Sequence, residues 1–374
     1  MRPARSGCRR RRSWNWWPDV KRFASNAVER LATTIFQRAG STPEEAATIA
    51  HRLVDANLVG HDSHGVIRIP QYIERVLAKE LIPNQTIEVV SETDVLAVVD
   101  GRFGFGQTVG EQTMRLAIQK CTHSGISVVA LRNSGHLGRI GDWAIMAAEA
   151  GKISLHWVNT SGGGILVAPF GGSDRRLSAD PIAAGIPVKG GSPIVADLSA
   201  CVIANGKIRV ARNKGVPVPE GCLIDANGQP TTDPEVFYAD PPGAILPFAG
   251  HKGFALGVLV ETLAGALSGG GASNPENPSA YMIVNNMLTV VLDPAVFMPE
   301  ASYAEEIDRF VAWVKGSPPL EEGGSILMPG EPEERSRADR LAHGLEIDDK
   351  TWDQITAAAR SVGMNDTDVI ELMG

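Results

Sequence analysis

The sequence predicts an α/β protein in which helical segments at both chain ends enclose a central α/β region. Apolar residues at helical spacing dominate residues 19–58 and the stretch from about 301 onward. Between these segments, short runs rich in β-branched residues alternate with helical patterns. A helical front, an α/β middle and a helical tail indicate that the two ends pack together.

The first two helices are marked by their ends. Residues 19–39 carry apolar side chains at helical spacing and are followed directly by a glycine. Thr42 is the predicted N-cap of the next helix, Pro43 takes its first position, and Glu45 completes a predicted capping box. We expect this second helix to reach about Leu58, just before the polar stretch HDSHGVIR.

The remainder of the chain alternates between strand and helix patterns. The predicted strands lie near 86–100, 126–134, 153–161, 192–200 and 282–294. The predicted helices lie near 107–124, 140–150, 254–268, 303–315, 331–344 and 348–363.

Composition and charge exclude several classes of function. Apolar residues make up 43% of the 374 residues and charged residues 21%, which is usual for a soluble globular protein. No apolar run approaches the ~20 residues that span a bilayer. The formal net charge of −8 argues against nucleic acid or an anionic membrane as the main partner. The four cysteines, which form no metal or disulfide pattern, are predicted to be reduced thiols in the cytoplasm: Cys8, Cys121, Cys201 and Cys222.

The first 18 residues differ from the rest of the chain, because they are rich in arginine and tryptophan. An address signal or a nucleic-acid arm is one interpretation of such a run. However, no apolar core of roughly 7–15 residues follows it, so a secretory signal is unsupported. We predict that residues 1–18 form a disordered extension outside the fold.

Two glycine-rich loops raise the question of a nucleotide site. GFGQTVG, at 104–110, resembles a dinucleotide-binding loop, but the next predicted strand ends without the acidic residue that a Rossmann site needs. We interpret it as a turn that packs a helix against a strand. AGHKG, at 249–253, precedes a long apolar helix, so Lys252 and the helix amides suit a phosphate. A capped helix with an exposed lysine explains it equally well.

The polar cluster HDSHGVIR, residues 61–68, allows three kinds of chemistry. A metal site could use His61, Asp62 and His64, but no second cluster completes the ligand set. A serine hydrolase would need a G-x-S-x-G elbow, which is absent around Ser63. We therefore predict no metal site, and hydrolysis is disfavoured.

The third interpretation of the cluster is a site for a small acid. His64, Arg68 and Tyr72 are spaced four apart and would share one face of a helical turn, if Pro70 lies in the first turn of that helix. Arginine binds a carboxylate through two parallel hydrogen bonds, and histidine exchanges a proton near neutral pH. This pairing suits a 2-hydroxy or 2-oxo acid, although a solvated polar turn remains the alternative. His136, in the loop NSGHLGRIG at a predicted strand end, is a second candidate.

Five motifs occur in an order that resembles one protein family. DSHGVIRIPQY, NSGHLGRIG, SPIVADLSA, PFAGHKGFAL and LMPGEPE resemble the malate/L-lactate dehydrogenase family, also called sulfolactate dehydrogenase-like. The likeness extends from about residue 20 to 372, and GKIRVARNKGVPVPEGCLIDANGQPTTDP is similar to the hydroxycarboxylate dehydrogenase B branch. The resemblance implies a non-Rossmann, mixed-sheet NAD(P)-binding α/β fold and a homodimer. We expect a mainly helical substrate and dimer domain from 19–98 plus 300–374, and an α/β cofactor-binding domain from 99–299.

The resemblance also implies which residues form the site. His64 and His136 are both candidates for the catalytic acid/base, and Arg68 is expected to bind the substrate carboxylate, with Tyr72 and Ser63 also in contact with substrate. The implied cofactor contacts are His64, Gly138, Arg139, Ile140, Ile194, Val195, Ala196, Asp197, Leu198, Ser199, His251, Lys252, Pro329, Gly330, Glu331 and Pro332.

The activity that the resemblance implies is hydride transfer in the cytoplasm between NAD(H), or alternatively NADP(H), and C2 of a 2-hydroxy or 2-oxo acid of the malate, lactate or aryl-lactate type. One alternative is an NADPH-dependent reductase of a cyclic or N-alkyl 2-imino acid. The other is an inactive cofactor-binding member, because the chain departs from the family pattern twice. Asp180 stands where the family often has asparagine, and Ala249-Gly250 replaces a pair of glycines.

Overall fold

The computed structural model describes residues 21–276 and 283–374. The helices are α1 (Ser25–Arg38), α2 (Pro43–Leu58), α3 (Ile69–Leu77), α4 (Gly106–Ser124), α5 (Gly141–Glu149), α6 (Asn205–Lys214), α7 (His251–Val260, continued by a π-helical turn Glu261–Ala266), α8 (Pro294–Phe297), α9 (Glu300–Lys315), α10 (Glu331–His343), α11 (Asp349–Ser361) and α12 (Asp366–Met373). The strands are β1 (Lys21–Phe23), β2 (Glu88–Glu92), β3 (Leu96–Asp100), β4 (Ile126–Ser134), β5 (Ile153–Gly162), β6 (Pro181–Ile186), β7 (Ile194–Ser199), β8 (Leu223–Ile224), β9 (Pro230–Thr231), β10 (Ala244–Ile245), β11 (Ile283–Leu292) and β12 (Leu345–Ile347).

A mixed sheet forms the centre of the molecule. Within the described residues its strand order is β2-β3-β4-β11-β5-β6-β7. Only β3 and β4 pair in parallel, and the other neighbours are antiparallel. A Rossmann sheet is built from parallel strands joined by crossover helices, so this order confirms the non-Rossmann α/β prediction. Strand β6 was not predicted, because PIAAGI lacks the alternating β-branched pattern of a strand.

The two ends of the chain pack together, as the sequence predicts. Helices α1, α2, α3, α11 and α12 share one apolar core, whose largest buried side chains include Ile35, Phe36 and Leu53. The predicted helix over residues 19–39 is wrong at its start. Residues 21–23 form β1, which pairs antiparallel with β12, and helix α1 begins only at Ser25. A three-residue strand carries no local signal of its own and depends on a partner more than 300 residues away.

The predicted start of α2 is only half right. The Thr42 hydroxyl accepts a hydrogen bond from the Glu45 amide, as an N-cap should. The reciprocal bond of a capping box is missing, because the Glu45 carboxylate accepts from the backbone amide of Asn84. The Asn84 side-chain oxygen instead accepts from the Thr42 amide at 2.7 Å. A residue from a distant loop thus completes the cap and fastens that loop to α2.

A second apolar core lies between the sheet and helices α4 and α5, and Trp143 is its largest fully buried side chain. Only Gly104 and Phe105 of the stretch GFGQTVG precede helix α4, and residues 106–110 form its first turns. A Cβ added to Gly106 would lie 2.2 Å from the carbonyl oxygen of His136, so only glycine allows this close approach. The first turn of α4 therefore touches the backbone of the loop that carries His136.

The division into two domains stays a prediction. One observation bears on the boundary that was expected between them. The expected boundary at 98 and 99 falls inside β3, and β2 pairs with β3 in the central sheet. Residues 88–98 therefore lie with the sheet and not with the helices. The expected extension, residues 1–18, lies outside the described residues. No helix in the described part of the chain combines the length and apolarity needed to cross a membrane.

Candidate active site

The polar cluster forms two consecutive single-turn 3₁₀ helices between α2 and α3. Asp62–His64 make the first turn and Val66–Arg68 the second. Gly65 separates them in an extended conformation, and a Cβ there would lie 2.1 Å from the side-chain oxygen of Asn57. That oxygen accepts a hydrogen bond from the Val66 amide at 2.8 Å. The glycine and the asparagine together fold the cluster tightly against the end of α2.

The prediction that the three residues share one face of a single helix is therefore wrong. His64, Arg68 and Tyr72 lie on three different elements: the two 3₁₀ turns and α3. Pro70 does occupy the first turn of α3, where its missing N–H has no cost. The break at Gly65 lets His64 and Arg68 face a cleft, while Tyr72 lies in the protein interior with only 4% of its surface exposed.

The tail helix α10 holds this turn in place through charges. Arg340 binds the Asp62 carboxylate, and Arg337 binds both oxygens of Asp55 on α2. His61 lies 3.3 Å from a carboxylate oxygen of Glu333. His61 and Asp62 thus belong to the contact between the chain ends, which accounts for them without a metal. Within residues 21–276 and 283–374, no three His, Cys, Asp or Glu side chains are grouped as a metal would require.

Two histidine rings face each other across the site. The ring centroids of His64 and His136 are 5.6 Å apart, and the rings are nearly parallel at 7°. Burial, followed by the positive charge of Arg68, lowers the pKa of His64 to about 3 and that of His136 well below its usual value. Both imidazoles are therefore neutral at pH 7, and each can donate or accept a hydrogen bond. His64 also has the Ser63 hydroxyl 3.1 Å from its Nδ1.

Arg68 is a cation without a carboxylate partner among the described residues. Its Nε donates to the backbone oxygen of Ser63 at 2.7 Å, and one terminal nitrogen donates to the Gln71 side-chain oxygen at 3.0 Å. These two bonds fix the guanidinium beside His64 and leave donors unused. A cation held in this way is suited to binding a ligand carboxylate.

Tyr72 lies behind His136 and is not part of the cleft lining. Its hydroxyl is 2.7 Å from His136 Nδ1, and Gln107 Nε2 donates to the same hydroxyl at 3.0 Å. Burial raises the pKa of Tyr72 to about 12, so the phenol stays protonated. The expected contact between Tyr72 and substrate stays a prediction, and the contact seen here is with the histidine.

A cleft of about 460 Å³ opens in front of the two histidines. The predicted residues that line it are Ser63, His64, Arg68, His136, Gly138, Arg139, Ile140, Asp197, Leu198 and Ser199. It also contains residues that the sequence gave no reason to select: Val158, Thr160, Asn205, Lys207 and Asn285. Lys207 lies in the first turn of α6, and nothing local distinguishes it from other surface lysines.

One wall of the cleft is rigid because a buried ion pair ties two of its elements together. Arg139 is 3% exposed and donates to Asp142 at 3.1 Å, and its Nε lies 3.8 Å from Asp197. Asp197 also accepts from the Gly141 amide at 2.9 Å, which joins β7 to the start of α5. Burial, with the nearby Arg139 opposing it, raises the pKa of Asp142 to about 6.

The other expected cofactor contacts lie outside the residues that line the cleft. The turn 329–332 packs on the beginning of β7, where the Pro329 oxygen accepts from the Val195 amide at 3.0 Å. Ile194 and Ala196 lie on the same part of β7. His251 and Lys252 are exposed in the first turn of α7. Both interpretations of AGHKG, a phosphate site and a capped helix, remain open.

Asp180, one of the two departures from the family pattern, is buried beside the cleft. Its neighbours Ala179 and Pro181 line the cleft, whereas its own carboxyl is bound by the Ser178 hydroxyl. Burial, and then the carboxylate of Glu261, raise the pKa of Asp180 well above its usual range. A protonated carboxyl offers one donor and one acceptor, as an asparagine amide does. Burial thus favours the neutral, protonated form of Asp180.

Comparison with known proteins places the chain in one group of enzymes. The sequence profile described as malate/L-lactate dehydrogenase matches residues 23–356. Hydroxycarboxylate dehydrogenase B of Escherichia coli O157:H7 is 41% identical over 346 residues, which cover 92% of this chain and 95% of that relative.

Solved structures give the same result. Sulfolactate dehydrogenase from Methanocaldococcus jannaschii superposes with a TM-score of 0.84 at 34% identity, covering 94% of this chain and 100% of that one. Delta1-piperideine-2-carboxylate reductase from Pseudomonas syringae pvar. tomato superposes with a TM-score of 0.78 at 29% identity, covering 90% of this chain and 99% of the other.

Proposed function

Because the chain belongs to the malate/L-lactate dehydrogenase family, we propose that it transfers a hydride between NAD(H) and the C2 carbon of a 2-hydroxy or 2-oxo carboxylic acid. It is an oxidoreductase, and its hydroxycarboxylate and sulfolactate dehydrogenase relatives support a hydroxy acid as substrate. The observation that carries the proposal is the guanidinium of Arg68, which has no carboxylate partner in the described part of the chain, beside two neutral, facing imidazoles. We propose substrates of the malate, lactate or aryl-lactate type.

In this proposal Arg68 determines how the acid lies in the cleft. Its unused donors bind the carboxylate in a bidentate manner, which orients C2 and its oxygen toward the two histidines. Burial and then the positive charge of Arg68 lower the pKa of both rings, and the bound carboxylate offsets that charge. Binding of substrate therefore raises the pKa of His136, and the ring can take up the proton that reduction consumes.

The residues of the cleft fit a nicotinamide cofactor. Ile140, Val158 and Leu198 provide apolar surface beside the histidines for a flat ring, and Lys207 at the start of α6 suits a phosphate. When bound, the nicotinamide supplies or accepts the hydride, and the protein supplies position and charge. We propose NAD as the cofactor, with NADP as the alternative, and include 251–252 and 329–332 as its outer contacts.

A matrix of two cofactors and several acids tests the proposal. Purified protein is mixed with NADH or NADPH and with oxaloacetate, pyruvate or phenylpyruvate, and absorbance of the reduced cofactor is followed. We expect turnover with at least one acid, and we expect Arg68→Met to raise KM for that acid by about 10²-fold, since a charged hydrogen-bonded pair is lost. The absence of turnover in every combination would contradict the proposal.

The similarity to piperideine-carboxylate reductase makes an imine reductase the second candidate. Its substrate, a cyclic or N-alkyl 2-imino acid, has the same carboxylate for Arg68 to bind. Adding methylamine to pyruvate forms such an imine in the assay, so a rate well above that with pyruvate alone would favour this function. An inactive cofactor-binding member would instead quench or shift NADH fluorescence on binding and show no turnover with any substrate.

We also propose that the protein is a cytoplasmic homodimer. Helix α9 has no buried residue and exposes Phe310 and Trp313, at 54% and 82%. Large exposed aromatic side chains on one helix are typical of an interface between subunits. The three cysteines of the described residues are free and buried, which agrees with a reducing compartment. Light scattering should give twice the chain mass of 39.8 kDa.

A further inference from the structure

Behind His136, on the side away from the cleft, a chain of hydrogen bonds connects the imidazole to helix α4. His136 Nδ1 lies 2.7 Å from the Tyr72 hydroxyl, which accepts from Gln107 Nε2 at 3.0 Å. Tyr72 is 4% exposed and Gln107 is 2% exposed, so bulk solvent has little access to these bonds. We propose that Gln107 is a positioning residue that determines, through Tyr72, which nitrogen of His136 carries the proton.

The direction of the chain follows from the single hydrogen of the phenol. Because the Gln107 amide donates to the Tyr72 oxygen, the Tyr72 hydrogen is free to point at His136 Nδ1. In this arrangement Nδ1 accepts, and the proton of the neutral imidazole lies on Nε2. If the amide of Gln107 turned over, Tyr72 would donate to its oxygen and the imidazole proton would move to Nδ1. The orientation of one amide therefore determines the tautomer.

A small cavity bordered by Tyr72, Gln107 and His136 favours the first orientation. The cavity, of about 30 Å³, is lined by Gln107 and by Arg75. Gln107 Oε1 and Arg75 Nε are both buried and have no hydrogen-bond partner among the described residues. Arg75 is ion-paired with Glu80, but its Nε–H has no partner among the described residues and borders the same cavity. An amide oxygen directed to the cavity therefore meets a donor, which leaves Nε2 facing Tyr72.

The backbone around Gln107 keeps the chain of bonds in register. The preceding residue, Gly106, packs directly on the carbonyl of His136, where a Cβ would come within 2.2 Å. Helix α4 and the loop of His136 therefore cannot shift apart without losing this contact. Gln107, Tyr72 and His136 come from three separate elements, and their relative placement is fixed by packing.

The consequence for the reaction rests on the proposed function. A 2-oxo acid presents a carbonyl oxygen that gains negative charge as hydride arrives, and a hydrogen on Nε2 stabilises it. Oxidation of the hydroxy acid needs a free electron pair on the same nitrogen. By keeping the imidazole hydrogen on Nε2, Gln107 therefore prepares the ligand-free protein for the 2-oxo acid and not for the 2-hydroxy acid. In this proposal Gln107 itself contacts neither substrate nor cofactor.

The test is the tautomer of His136 in the protein without ligands. Nitrogen NMR of protein labelled at histidine distinguishes a protonated from an unprotonated Nδ1, and loss of a signal in His136→Gln assigns the resonance. We expect an unprotonated Nδ1 in the wild type. A wild-type protein with its proton on Nδ1 would overturn the proposal whatever the variants do.

Gln107→Glu supplies the second comparison, because a carboxylate can only accept. Tyr72 should then donate to Glu, and the His136 proton should move to Nδ1. The high-pH limb of the reduction profile, where the protonated acid is lost, should move up by about one pH unit, which is tenfold in rate on that limb. Gln112→Glu, on the same helix with bonds to backbone groups only, is the matched control and should change neither. An unchanged tautomer in Gln107→Glu would refute the proposal. If the tautomer behaves as expected and no acid turns over, the proposed function fails and this inference stands.

Discussion

His64 and His136 face each other at 5.6 Å, yet they are anchored by opposite kinds of structure. His64 lies on a single 3₁₀ turn whose neighbour Asp62 is held by an ion pair with the tail helix. His136 is held by a buried chain of neutral hydrogen bonds from Tyr72 and Gln107. Ion pairs near the surface fix a position loosely, whereas the buried chain also selects a protonation state. The difference favours His136 as the acid/base and His64 as a group that orients substrate.

The largest effect should come from His136→Ala, which removes the proposed proton donor. We expect kcat for the 2-oxo acid to fall by about 10²–10⁴-fold, the usual contribution of a positioned acid or base. Steady-state kinetics with saturating cofactor measures this. A variant that keeps more than a tenth of the wild-type kcat would transfer the role to His64 and reverse the comparison.

The next largest effect, on stability, is expected for His156, a histidine buried outside the cleft. Ser154 and Thr289 each form a hydrogen bond with one of its two nitrogens. Burial lowers its pKa to about 3. Between that value and ~6.5 only the unfolded chain binds the proton, so the free energy of unfolding falls as pH drops below ~6.5. At pH 5 this loss is about 2 kcal/mol.

Urea unfolding at pH 7 and pH 5 measures the contribution of His156. The loss between the two pH values should be smaller in His156→Asn than in the wild type, by roughly the 2 kcal/mol that the buried imidazole contributes. Equal losses in the two proteins would show that His156 does not remain neutral in the folded state. Activity at pH 7 should be retained, in contrast to the His136 variant.

A smaller effect is expected for His64→Asn, which keeps a hydrogen-bonding side chain on the turn. If His64 only orients substrate, kcat/KM should fall about tenfold, which corresponds to ~1.4 kcal/mol for one hydrogen bond. The pH dependence of kcat should be unchanged, because the group that titrates is elsewhere. A shifted pH profile in this variant would mean that the two rings share the proton.

The smallest effect should come from the anchor of the His64 turn. Arg340→Met removes the ion pair with Asp62, whose side chain is 53% exposed, so we expect about 1 kcal/mol or less of stability and a two- to threefold rise in KM, roughly. Arg360→Met breaks the exposed pair with Asp366 on the last two helices and is the control. If Arg340→Met lowered kcat as strongly as His136→Ala, the turn that carries His64 would have a larger role in the reaction than holding the substrate.

Sequence and structure agree best where the signal is local. Helix α2 is predicted at both ends because Thr42, Pro43 and Leu58 are local signals, and the strands rich in β-branched residues are found where expected. Strand β1 is missed because its pairing joins Phe23 to Leu345, and no local pattern encodes such a distance.

The site shows the same limit. The four-residue spacing of His64, Arg68 and Tyr72 led to a wrong geometry, because Gly65 interrupts the turn, and the roles of the three residues stay a prediction. No role in the site is predicted for Gln107 from the sequence, since its proposed role depends on Tyr72, which is 35 residues away in sequence and in contact in space. A buried polar residue in the first turn of a helix was the only available signal.

The bond between Arg340 and Asp62 spans 278 residues and has a consequence for how the chain is made. At roughly 5–20 residues per second, a ribosome adds the tail helix about 15–60 s after the turn has emerged. During that interval α1 and α2 present apolar faces that will later be covered by α11 and α12. A chain released before its last sixty residues are made would lack α10, α11 and α12, so the apolar faces of α1 and α2 would stay partly uncovered.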